Sequence, residues 1–294
     1  MATTIPQSFL KLRGNLEITT LQSATVSTRQ GTVRQALEGN LKVIDTFLAG
    51  SYQRSTMIAP LAEADVDIFV ILNAEYFHNY NGGKNGGPAG LLDLVKRTLL
   101  RTYTRTPDIS RSGQAVTIQF SDFVADVVPA FNRQGGGYLI PNSLTASWLE
   151  TDPKRHVELM SAANRAHDGA LVPTIKMIKG WNKSHGAFFR SFHLEVLALA
   201  IFTNVRISDY PSAVRFFFDK ARALITQKNP DPAGYGDDVG KYLNTPEKIQ
   251  EASNRLQRAY ERALKAEEFA SAGNISNAVD MWQKTFGDYF PAYG

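Results

Sequence analysis

The stretch DVDIFVIL, Asp65 to Leu72, places the strictest condition on how this chain can fold. Residues 66–72 form a short continuous apolar run rich in β-branched side chains, which predicts a buried strand. Two acids, Asp65 and Asp67, stand at its head. Side chains alternate along a strand, so these two carboxylates share one face. Like charges that close repel, so something positive belongs beside them. The plainer alternative is a solvated loop at a strand edge. A second acid-bearing run speaks against it. In FVADVVPAF, Asp126 stands alone among Val, Ala and Phe, and an acid in a buried strand is costly unless it is paired or metal-bound. Three carboxylates with phosphate and water suit Mg²⁺. Two such ions roughly 4 Å apart can activate an attacking hydroxyl and hold a leaving pyrophosphate.

The rest of the chain frames this strand. With 294 residues, two packed halves are expected. Hydrophobic residues make up 43%, enough for a core, and cysteine is absent. That excludes disulfides and a thiolate zinc site, and it fits a cytoplasmic protein. No apolar run reaches the roughly 20 residues of a membrane helix, and MATTIPQSFLKLRGNLEITT has no signal-peptide layout. The formal charge of +4 permits phosphate-bearing partners but is thin for gripping RNA.

Apolar spacing of three and four over residues 29–48 predicts a helix ended by Gly50-Ser51. Residues 79–90, rich in glycine, read as a linker, because they lack the order of a phosphate-binding loop. Residues 91–103 return to helical spacing. Residues 115–120 and 123–131 read as strands around a turn at Ser121-Asp122, where Asp122 is turn chemistry. A short strand lies within 135–142. After about residue 145 the strand signal stops, and the patterns beginning PTIKMIKGWNKSH, SFHLEVLALAIFTNV, YPSAVRFFFDK and TPEKIQEASNRLQ are helical. The expected architecture is α+β, divided into 1–145 and 146–294, the first half including N-terminal helices and the second all-helical.

Gly50-Ser51 supplies what phosphate recognition asks of a backbone: a glycine allowing close approach and a hydroxyl donor. Arg54 either touches phosphate or faces solvent. Trp181, Phe188, Phe189 and Phe192 read as core, with Phe192 the contested case. The histidines 78, 156, 167, 185 and 193 show no metal-ligand spacing.

The ordered set GSYQRSTMIAPL, DVDIFVIL, DVVPAF, GYLIPN, SWLETDPKRHVE, IKMIKGWN and SFHLEVL resembles the polymerase-β-type nucleotidyltransferase superfamily, and in wording its cGAS/DncV-like branch, the bacterial CD-NTases. The resemblance spans about residues 30–200. It implies a nucleotidyltransferase core, a mixed sheet with helices, packed on an all-helical C-terminal domain, with the active site between them. It implies Asp65, Asp67 and Asp126 as catalytic and metal carboxylates, Asp126 as base, with two Mg²⁺ ions that Mn²⁺ can replace. Gly50, Ser51 and Arg54 would hold nucleotide, with Lys179, Ser191 and Phe192, the last as a base-stacking ring. Lys176, one turn from Lys179, is the alternative lysine.

The implied activity is synthesis of a cyclic di- or trinucleotide second messenger from ATP and other nucleoside triphosphates, with pyrophosphate release, in anti-phage (CBASS) signalling through an effector that senses the product. The alternative is a nucleotidyltransferase acting on RNA or protein. The animal relative cGAS is switched by DNA through an inserted metal-binding segment. Without cysteines or a histidine cluster to build one, no nucleic-acid activator is expected here. The terminal Gly294, unhindered at its α-carbon, is the expected handle if the chain is conjugated to a target as some family members are. The plainer reading of Tyr289–Tyr293 is an aromatic tail packed on the helices.

Overall fold

A computed structural model describes residues 3–104 and 108–294. The chain forms two compact units, Met1–Glu17 with Glu158–Gly294, and Ile18–Val157. The first helix, α1 (Ile5–Leu16), therefore belongs with the C-terminal helices rather than with the sheet that follows it. Its apolar stripe explains why. Phe9 is buried and meets Trp282, Phe286 and Phe290 edge-on, with ring centroids 4.9, 5.9 and 5.3 Å away. Leu16 lies so close to Gly180 that a Cβ there would come within 2.8 Å of its Cδ2.

The second unit opens with α2 (Thr20–Glu38), whose Thr19 and Gln22 form a reciprocal capping box. The expected helix over 29–48 stops early. Residues from Val43 to Leu48 form strand β1 instead. Gly39-Asn40 interrupts the helix, and VIDTFL, rich in β-branched and aromatic residues, gains more by pairing with a buried neighbour than by continuing the turn. Gly50-Ser51 consequently follows a strand, and opens the single turn α3 (Gly50–Gln53) rather than closing a helix.

The predicted acid-headed strand is β2 (Asp65–Leu72). Then come α4 (Ala74–Tyr80), a 3₁₀ segment at Asn81–Gly86 where the linker was expected, and α5 (Gly87–Thr102). Strands β3 (Ile109–Ser112), β4 (Ala115–Gln119), β5 (Val124–Asn132), β6 (Tyr138–Asn142) and β7 (Ser147–Thr151) complete the sheet. Its order is β1-β2-β5-β4-β3, with β6 paired to the end of β5 and β7 to β6. Among the described residues, only β2 and β5 run parallel. One face packs Val66, Ile68, Val70, Val116, Ile118 and Val127 against apolar residues of α2 and α5 such as Val33, Leu37, Leu92 and Val95. The expected end of strand structure near 145 is corrected by β7. The hairpin carries hydrogen bonding to Thr151, so the boundary at 145/146 falls inside a strand pair, while the compact units part between Val157 and Glu158.

Past Pro153 the chain is helical: α6 (Pro153–Ala166), α7 (Leu171–Ser184), α8 (Ser191–Phe202), α9 (Tyr210–Leu224), α10 (Pro246–Ser271) and α11 (Ile275–Phe286). Helix α7 is buried on all sides from Leu171 to Asn182, which marks it as the central helix of its unit. Trp181 and Phe189 are core residues, as expected, while Phe188 is half-buried beneath the Arg255 guanidinium.

Candidate active site

Register brings the predicted acids together. In the parallel β2–β5 ladder Asp67 stands directly opposite Asp126, and Asp65 lies two residues back on the same face. Their neighbours Val66, Ile68, Ala125 and Val127 point the other way and are fully buried. The acid-bearing face becomes apolar beyond the acids, through Phe69, Ile71, Val128 and Ala130. The carboxylates thus sit at one end of a strand pair that is otherwise dry.

Electrostatics follows from that placement. Burial pushes the Asp67 carboxyl up to about 6, with repulsion from Asp126 and Asp65 adding to it and the Arg54 guanidinium opposing it. Burial, then repulsion from Asp126, raises Asp65 as well. Arg54 is the positive group the paired acids called for, and it is itself buried. It answers only part of the charge. Asp122 lies in the bend between β4 and β5, where it is bound to Arg29 at 2.9 Å.

Gly50 is set against this cluster. Its φ of +61° is the left-handed conformation that glycine alone adopts freely. The Ala49 amide donates to the Asp67 carbonyl at 2.9 Å, so the turn is stitched to β2. The Ser51 carbonyl accepts from the amides of Thr56 and Met57, closing the loop that brings Arg54 round. Gly50, Ser51, Arg54, Asp65, Asp67 and Asp126 therefore occupy one neighbourhood of the sheet unit. Sequence reasoning missed one member. Thr117 on β4 faces Asp126 and donates to its Oδ1 at 2.6 Å. Its alternation between buried Val116 and Ile118 was visible; its pairing partner was not.

Lys179, Ser191 and Phe192 lie in the other unit. Lys179 is buried on α7, its Nζ 3.2 Å from Glu195 Oε1, a carboxylate with no solvent exposure. Lys176, one turn earlier, meets the half-exposed Glu17. Ser191 is exposed at the start of α8 and Phe192 is half-buried. That helix start is held from the segment between α9 and α10. The Tyr242 hydroxyl accepts from the Arg190 amide and meets His193 Nδ1, each at 3.2 Å.

Among the described residues, no three His, Asp or Glu side chains converge closely enough to cage a metal ion. No helix among them is long and apolar enough to cross a membrane.

Residues 3–164, more than half of the chain, match the model of the Second Messenger Oligonucleotide or Dinucleotide Synthetase domain, SMODS. The chain belongs to the SMODS family. This SMODS protein is 27% identical to a Bacillus cereus (strain VD146) protein named "Probable cyclic nucleotide synthase", over 88% of this chain and 90% of that one. It is 26% identical to the cyclic AMP-AMP-AMP synthase of an Acinetobacter species, over 98% and 86%. Among solved structures, Escherichia coli MS115-1 CdnC in a HORMA-ΔN complex superposes with a TM-score of 0.77 at 18% identity, covering 98% of each chain. The Vibrio cholerae dinucleotide cyclase DncV gives 0.70 at 14%, covering 97% and 87%. These two likenesses show a shared fold, that of a polymerase-β-like core with a helical C-terminal region. Family and relatives together make this chain a nucleotidyltransferase of the cyclic oligonucleotide synthase class.

Proposed function

We propose that this SMODS protein joins ATP and other nucleoside triphosphates into a cyclic di- or trinucleotide second messenger, releasing pyrophosphate, in anti-phage signalling through an effector that senses the product. The observation that carries the reading is the register pair Asp67–Asp126 with Asp65 beside it, three hard oxygen donors on one face of adjoining strands. Burial first, and then their mutual repulsion, raises Asp65 and Asp67, so the cluster is short of positive charge. The three acids share one face without closing a cage among themselves, so a small hard divalent cation would sit there with substrate phosphate and water supplying the rest of its shell. Asp65, Asp67 and Asp126 would hold Mg²⁺, two ions with Mn²⁺ as a substitute. When bound, such ions supply Lewis acidity for hydroxyl activation and charge for the departing pyrophosphate.

The chain's own residues carry the rest. Asp126 takes the proton of the attacking 3′ or 2′ hydroxyl. Gly50 lets backbone approach a phosphate, Ser51 donates its hydroxyl, and Arg54 adds charge beside Asp67. Lys179, Ser191 and Phe192 are assigned to triphosphate and base. Nucleic acid is not required for activity, and the protein works in the cytoplasm. Gly294 serves as a conjugation handle; what supports this is an exposed end, Ala292 to Gly294, following the buried Phe290.

The deciding experiment is incubation of purified protein with labelled nucleotides and Mg²⁺, with no nucleic acid added. Phosphatase-resistant cyclic products, resolved by mass spectrometry and lost with EDTA, support the reading. Products that require added RNA or protein acceptor overturn it.

A further inference from the structure

We propose that Thr117 is a positioning residue for Asp126, holding one carboxylate oxygen so that the other is presented to the reaction. The inference rests on the reading of Asp126 given above. Asp126 stands in the middle of a row across three strands, with Asp67 opposite it on β2 and Thr117 opposite it on β4. On one flank it meets a like charge. On the other it accepts the Thr117 hydroxyl at Oδ1, 2.6 Å away. That length is typical of a hydroxyl bonded to an ionised carboxylate, the stronger kind of hydrogen bond.

Threonine is a common strand residue, and its presence in β4 alone says nothing. Its direction does. The alternation of β4 sends Val116 and Ile118 into the sheet's main core, both with no exposure, and leaves Thr117 on the acid face. Its backbone is pinned by those neighbours and by pairing on both sides, to β3 and β5. Its β-branch restricts χ1, so the hydroxyl is aimed rather than free to turn. A carboxylate with one oxygen tied in this way loses rotation about its terminal torsion, which is otherwise broad. Repulsion from Asp67 pushes the Asp126 carboxylate toward the hydroxyl and so reinforces the arrangement. Oδ2 is the oxygen left to accept the hydroxyl proton of the substrate or to bind a cation. Hydrogen-bond partners of ligating carboxylates commonly matter this much.

The test compares Thr117→Val, which keeps shape and loses the hydroxyl, with Thr117→Ser, which keeps the hydroxyl. Full-length protein is used throughout. Thr117→Val is expected to lower kcat about tenfold or more while KM for ATP moves by less than about twofold, and to weaken Mn²⁺ binding, read by electron paramagnetic resonance without turnover, by about tenfold. Thr117→Ser is expected to recover kcat and Mn²⁺ affinity to within about threefold of wild type, because the donor is restored. Both should melt within about 3 °C of wild type, since neither opens a cavity in the main core. Thr117→Val with wild-type kcat and Mn²⁺ affinity overturns the inference, and so does equal loss in both variants. Asp126→Asn runs beside them. If it is inactive while Thr117→Val is unimpaired, Thr117 alone has been misread; if Asp126→Asn keeps wild-type turnover, the reading of Asp126 fails and takes this inference with it.

Discussion

Gly50 and Asp67 occupy each other's space: a Cβ built on Gly50 would lie 1.8 Å from Asp67 Oδ2 and 2.9 Å from Cγ. Gly50 also has a positive φ, so a side chain there is strained even without the neighbour. The glycine is what allows the turn after β1 to close onto the acid-bearing strand. Gly50→Ala is expected to displace the Asp67 carboxylate and cost about 1–3 kcal/mol in stability. Turnover should fall below detection while the circular dichroism spectrum stays folded; a Gly50→Ala enzyme with wild-type turnover would contradict this geometry.

With no cation bound, Asp67 is expected to make the protein less stable near neutral pH. Its folded-state value, pushed up to about 6 from an ordinary 3.8, means the folded protein binds its proton more tightly than the unfolded chain. That contribution is fully present below about pH 4 and is lost as pH rises through about 6. Asp67→Asn removes the ionisation, so in EDTA-treated protein the variant should melt above wild type at pH 7 and approach it at pH 4. Equal melting curves at pH 7 would count against a desolvated, crowded carboxylate.

His193 works with the opposite sign. Burial lowers its imidazole to about 4 from an ordinary 6.5, against a raising influence from Asp238. The resulting stability is present above about pH 6.5 and is lost as pH falls toward 4. His193→Phe should flatten that acid limb of the melting profile in the helical unit. Tryptophan fluorescence follows it, because two of the three tryptophans, Trp181 and Trp282, belong to that unit.

The two lysines of α7 should separate by stability before they separate by activity. Lys179 pairs with a carboxylate of no exposure, so Lys179→Ala leaves a buried charge without that partner, at a cost of about 3–5 kcal/mol. Lys176 pairs with Glu17, whose side chain is 43% exposed, so Lys176→Ala should cost about 1 kcal/mol. Urea titrations of both variants test this. A similar midpoint for the two would show that the buried pair is not holding α7 to α8.

Removing Pro291–Gly294 should leave both melting and catalysis unchanged, whereas removal from Phe290 onward should cost about 3 kcal/mol. Phe290 is buried, with its ring against Phe9 and stacked on Phe286 at 5.8 Å. If the shorter deletion destabilises the protein, the exposed end is not free to act as a handle.

Much of the fold is legible in the residues alone. The strand of Asp65–Leu72 announces itself because an apolar run of that length and branching has few other uses, and the same holds for Asp126 in its strand. The helices from Leu171 onward are legible because their apolar spacing is regular. Local pattern misleads where it fits two states. VIDTFL continues a helical spacing and is also a good strand; pairing with β2 decides it. β3 and β7 carry weak strand signals of their own and exist because a neighbour completes their hydrogen bonds. The assignment of α1 to the C-terminal unit depends on Phe9 meeting rings that lie over 270 residues further along the chain.

The sequence by itself determined the chemistry on offer: two acids on one strand face, a third in another strand, a Gly-Ser turn and a helical second half. Alternation and residue type suffice for that, since they act within a few residues. Only the tertiary structure decided that Asp126 pairs with Asp67 rather than slipping by two, that Gly50 lies against Asp67, that Arg54 is the buried counter-charge, and that Thr117 ties the third carboxylate. Those relationships are set by strand register and by the packing beneath it, in which a shift of one residue would turn every side chain to the opposite face.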